Sequence, residues 1–151
     1  MLYAGVLCLG ILCIFGAMKP AEINVKWTEL QQRIAEDFDT DLPDIKVMLF
    51  LIGVQELGQG PGKFSKRQKE ELMHIANCKL FSQMGFYELE GADQDGWPHW
   101  KLVKAIPNYT MLEQEMLMKT LIINYFDEME ASWYEKTITF FHAVLYNIGL
   151  G

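Results

Sequence analysis

The stretch Asp44 to Leu57, DIKVMLFLIGVQEL, constrains this chain more than any other. Wound as a helix at about 100° per residue, Ile45, Val47, Met48, Leu49, Phe50, Leu51, Ile52, Val54 and Leu57 cover nearly the whole circumference. Only Lys46, Gly53, Gln55 and Glu56 interrupt them. A helix with no polar face must be wrapped by other elements, so this segment is expected at the centre of the fold. A run this short also suits a buried strand, but the Gln55-Glu56-Leu57 continuation and the Gly58 stop favour helix.

The chain is long enough to wrap it once. Its 151 residues, half of them hydrophobic, fit one domain with a single core, and no internal repeat or low-complexity tract divides them. Before the central stretch, Asn24 can cap a helix in which Trp27, Leu30, Ile34 and Phe38 recur at helical spacing. Asp37, Asp39, Asp41 and Asp44 surround the turn that follows, where carboxylates favour the next helix's positive end and Pro43 suits its first position. After it, the loop GQGPG (Gly58 to Gly62) leads to Ser65 and Gln68, a capping box opening a helix that buries Leu72, Ile75, Ala76 and Leu80 and stops near Gly85. The loop is no phosphate-binding loop. Leu57 stands where the first glycine belongs, Phe64 separates Lys63 from Ser65, and a helix precedes it instead of a strand.

From Phe86 to Val103 the period changes to two, about the turn Asp93-Gln94-Asp95-Gly96. Tyr87, Leu89, Trp100 and Leu102 are expected to share a face turned to the core, and Pro98 marks an edge strand. Thr110 and Glu113 form a second capping box, ahead of a helix with Leu112, Met116, Leu117, Leu121, Ile122, Phe126 and Met129 on its apolar face. Ser132 and Glu135 suggest a third box opening a separate last helix, although Thr137 to Phe141 also suit a strand.

The fold class expected is therefore mainly α with one β-hairpin (α+β), a helix-helix-helix-hairpin-helix-helix domain over 20–151 with the hairpin at 86–103. Residues 1–19 are set apart as a hydrophobic membrane-anchor segment. Leu2 to Met18 is an uncharged apolar run without the basic start or small-residue cleavage site of a signal peptide, which reads as an uncleaved anchor. The alternative is a buried helix or strand of the core. Lys19, Lys26 and Arg33 follow the run and none precedes it, which leaves the globular part in the cytoplasm, at the inner face of a bacterial-type membrane. Cys8 and Cys13 lie inside the run, so Cys78 alone belongs to the globular part and no intrachain disulfide framework is expected.

Catalytic signatures are sparse. Glu71, His74 and Cys78 fall on one face of a helix, but three ligands on one helix do not close a metal site, and the second Glu-x-x-His of a di-iron bundle is missing. Asp93 and Asp95 before Gly96 lack the remaining ligands of a calcium loop. A Cys78 pair with His99 or His142 has no supporting local signature, and no metal or other cofactor is expected. Glu56, ending the apolar helix beside the glycine loop, and His74 are the residues an enzyme would use.

Three functions follow, in order of preference. The first is a membrane-anchored interaction or scaffold module, binding an unidentified protein partner through Phe86, Trp97 and His99 on the outward face of the hairpin. The second is a nucleic-acid-binding domain, because three helices, a hairpin and a further helix is also the order of a winged-helix domain. Its patch would be Lys63, Lys66, Arg67, Lys69, Lys101 and Lys104, against a net charge of -7 and a hairpin carrying Glu88, Glu90, Asp93 and Asp95. The third is an enzyme using Glu56 or His74.

Overall fold

The computed structural model describes residues 18–60 and 62–147, with side chains as far as residue 129. Among the described residues, four helices and a two-stranded antiparallel hairpin make a mixed, mostly helical fold: α1 Pro20–Phe38, α2 Ile45–Leu57, α3 Lys66–Ser82, β1 Tyr87–Ala92, β2 Pro98–Leu102 and α4 Met111–Asn147. The anchor expected over Leu2 to Met18 lies outside the described residues but for Met18, which packs against the core. No helix among the described residues is long and apolar enough to cross a membrane.

The central helix is where its composition requires. Met48, Leu51, Ile52 and Val54 of α2 are completely buried. Asp44 caps it, its carboxylate accepting the Val47 N–H at 2.8 Å, and Gly58 ends it in the left-handed conformation at φ 67°. Pro43 thus sits before the cap and not at the first helical position, because the carboxylate next to it takes the capping role; the Pro43 carbonyl instead accepts Gln31 Nε2 at 2.7 Å from α1.

α1 buries Ile23, Trp27, Leu30, Ile34 and Phe38, the expected stripe extended by one turn. The helix begins earlier than Asn24, because Pro20 is preset for a first turn and the Glu22 carboxylate accepts the Lys19 N–H at 2.9 Å. Asn24, now inside the helix, accepts from Lys119 Nζ of α4 at 3.3 Å, and the same ammonium lies over the Trp27 ring.

α2 and α3 make the closest helix contact. A Cβ built on Gly53 would lie 2.1 Å from the Leu72 carbonyl oxygen, so only glycine lets these two backbones approach this far. α3 opens with the expected reciprocal box between Ser65 and Gln68. It closes with the Gly85 N–H on the Ser82 carbonyl (3.0 Å) and the Phe86 N–H on the Phe81 carbonyl (3.2 Å), the paired bonds of a Schellman termination.

The fourth helix departs from expectation. Thr110 and Glu113 form their box, but Ser132 and Glu135 open no new element: α4 runs on for 37 residues, and neither a break nor a strand interrupts it. Met129-Glu130-Ala131 offers good helix formers and no glycine or proline, so the backbone N–H groups that a new cap would satisfy already have partners one turn back. Leu117, Leu121, Ile122 and Phe126 are buried as the periodicity requires, with Ile123 and Tyr125 beside them, whereas Leu112 is 70% exposed in the first turn.

Candidate functional site

The hairpin carries the surface singled out for function, and its placement starts at Phe86. That residue follows the helix-ending Gly85, and its ring packs edge-on against Phe81 at 6.1 Å, the apolar contact that accompanies a Schellman end. Phe86 is 3% exposed and lies under the Lys104 ammonium, 5.1 Å from the ring centroid, so it cannot present apolar area to a partner. The signal was local: Phe81 and Phe86 bracket Gly85 at the spacing this termination demands.

At the other end the turn folds around Asp93. Its carboxylate accepts the Asp95 and Trp97 N–H groups, both at 2.9 Å, while Gly96 takes φ 83°. Those amide donors, with His99 at 3.2 Å, hold the Asp93 carboxyl below its ordinary range. His99 is exposed and paired with Asp93. Trp97 is half-buried against Phe50, Val54, Leu57 and Leu72, and Gln59 of the α2–α3 loop donates to the Asp95 carbonyl, so the tip rests on the helices. Of the expected surface Phe86, Trp97 and His99, only His99 faces solvent freely.

The face expected to be buried is the more covered of the two, since Glu88, Glu90, His99 and Lys101 on the other are all exposed, but it is covered only in part. Register sets Leu89 opposite Trp100 and Tyr87 opposite Leu102, so the four form one apolar patch. Tyr87 and Trp100 are half-buried, but Leu89 is 56% and Leu102 49% exposed. The strands lean on α3, and Phe86 and Trp97 fasten the two ends, Trp97 reaching α2 as well, so Tyr87 and Trp100 are partly covered while Leu89 and Leu102 stay open. Among the described residues, six of the eight exposed large apolar side chains lie between Leu89 and Leu112 in the sequence. Separately, the first turn of α4 borders an open groove of about 440 Å³ lined by Ile45, Met111, Leu112, Gln114, Glu115 and Met118.

The basic patch is exposed except for half-buried Lys69, though several members have neighbours of their own. Lys63 and Lys66 stand free of the hairpin, Arg67 pairs with Glu71 at 3.0 Å, Lys104 lies over Phe86, and Lys101 stands opposite Glu88.

The catalytic candidates are spoken for by structure. Glu56 Oε1 accepts the Tyr125 hydroxyl at 2.7 Å and Oε2 lies 3.7 Å from Lys79 Nζ, a tie joining α2, α3 and α4. Burial, then the Glu56 charge, raises the Tyr125 phenol far above its ordinary pKa, which keeps it a hydrogen-bond donor. Cys78 is completely buried, and burial pushes its thiol up to about 11. Its neighbour is His74, Nε2 to Sγ 3.5 Å, and not His99. Glu71 turns to Arg67, and among the described residues no group of three His, Cys, Asp or Glu is placed to hold a metal ion.

Comparison with family models, with curated proteins and with solved structures finds no match.

Proposed function

We propose that this chain is a non-catalytic docking module, tethered to a membrane by Leu2 to Met18 with its domain in the cytoplasm, that binds a partner protein on the open hairpin face. One observation carries the reading: Tyr87, Leu89, Trp100 and Leu102 adjoin one another by strand register, and Leu89 and Leu102 remain about half exposed. A contiguous apolar patch on a hairpin is a surface that partner burial stabilises. The engagement of Glu56 by Tyr125 and the high pKa of the Cys78 thiol weigh against an enzyme.

In the full chain, expressed in cells, a photo-crosslinking amino acid at Leu89 or Leu102 should give a discrete adduct of higher mass. The same probe at Val25, 58% exposed on α1, should give none. Equal labelling at all three positions, or no adduct at any, overturns the reading. The tether is tested separately: the full chain should stay with membranes through a carbonate wash, and release would contradict it.

The winged-helix reading keeps the support of its element order and of exposed Lys63 and Lys66. Four carboxylates on the first strand and turn of the hairpin oppose it, since that wing would meet phosphate. A steep loss of DNA affinity with salt would favour it over protein docking.

A further inference from the structure

We infer that the outer edge of β1 accepts an extended, basic segment of the partner protein as a third strand; this rests on the hairpin docking reading and names the partner's chemistry. A two-stranded sheet leaves an edge on each strand. The Val103 N–H donates to the Phe86 carbonyl at 2.9 Å, so the alternation of an antiparallel ladder turns the backbone groups of Glu88 toward Lys101 and those of Tyr87 and Leu89 away from β2. Two residues of β1 therefore offer N–H and C=O groups that the sheet does not use, and their side chains belong to the open apolar face.

Charge selects the occupant. Glu88 and Glu90 are exposed, make no ion pair among the described residues, and are joined at the turn by Asp93 and Asp95; within the hairpin Lys101, opposite Glu88, and His99, beside Asp93, are set against these four. An added strand with apolar residues beside Leu89 and Lys or Arg beside Glu88 and Glu90 would complete both patterns. The same carboxylates repel nucleic-acid phosphate and an anionic lipid surface. They also oppose a second copy, because two-fold pairing of β1 with itself would bring glutamates against glutamates. The register irregularity between Leu89 and Gly91 bends the edge and adds to this protection, leaving pairing to a strand that supplies the opposite charge.

The test uses the full chain in non-ionic detergent and two designed ten-residue peptides, one alternating lysine with valine and one alternating glutamate with valine. The lysine peptide should bind, weaken with added salt, and protect the Tyr87 and Leu89 amides from hydrogen exchange. Charge reversal by Glu88→Lys with Glu90→Lys should weaken that binding by about ten-fold or more while the melting midpoint holds. Equal binding of both peptides, protection of Trp100 and Leu102 instead, or a concentration-dependent dimer that already protects Tyr87 and Leu89 would each overturn the inference. An adduct at Leu89 together with no binding of the lysine peptide would sink this inference and leave hairpin docking standing.

Discussion

Replacing Gly53 with alanine should destabilise the domain even though alanine is the better helix former. In an unobstructed helix the exchange would gain about 1 kcal/mol of propensity. Here the new Cβ would stand 2.1 Å from the Leu72 carbonyl oxygen and 2.6 Å from its carbon, where ordinary contact begins at 3.4 Å. The obstacle is backbone and no rotamer relieves it, so α2 and α3 must part by more than 1 Å at their crossing. A gap of that size forfeits a quarter to a half of the dispersion energy of the contacts it opens, and overpacking of this kind costs about 1 to 3 kcal/mol. With the backbone itself in the way the upper end applies, which leaves a net loss of about 2 kcal/mol after the propensity gain. In a chain of this size that lowers the melting midpoint by about 4 to 8 °C. Circular dichroism of the full chain in non-ionic detergent measures it, with Gly62→Ala as control, since a Cβ there meets only the Phe64 ring at 3.7 Å. An unchanged or raised midpoint for Gly53→Ala would refute the close crossing.

Three further outcomes are expected. Leu51→Ala, at a completely buried position, should cost about 2 to 5 kcal/mol in urea unfolding, and a loss under about 1 kcal/mol would displace α2 from the centre. Tyr125→Phe should cost about 1.5 to 3 kcal/mol, because the hydrogen bond lost is one to a carboxylate, with a change near zero counting against the tie. In a chain carrying Cys8→Ser and Cys13→Ser, the Cys78 thiol stays protonated below its raised pKa of about 11 and is buried, so at pH 8 it should react with a thiol reagent only as the domain unfolds. Rapid labelling of the folded protein would show that the site is open.

The sequence was most legible where one physical demand left no alternative. A run apolar on every side had to be central, and Leu51 and Ile52 are completely buried. Caps are local, so the Ser65–Gln68 and Thr110–Glu113 boxes could be read directly. The same locality explains the failure at Ser132, where a motif that can open a helix lies in one that had no reason to stop. Alternation correctly grouped Tyr87, Leu89, Trp100 and Leu102, but a period of two identifies a face without saying what covers it. The answer depended on Phe86 being taken by the end of α3 and on the strands leaning mainly on α3, with Trp97 reaching α2. Gly53 against Leu72 and Tyr125 against Glu56 join residues distant in sequence, and no local pattern records either contact.

The most direct measurement of the central claim combines Leu89→Glu with Leu102→Glu in the full chain and reads stability and docking together. Both side chains are about half exposed, so the melting midpoint should hold within the roughly 0.5 kcal/mol of an ordinary surface change. A photo-crosslinker at the exposed neighbour Val103 should then lose its adduct. A stably folded double variant that keeps the adduct would contradict docking on the hairpin face, and so would a collapse in stability, which would mean that this domain's own core covers the face.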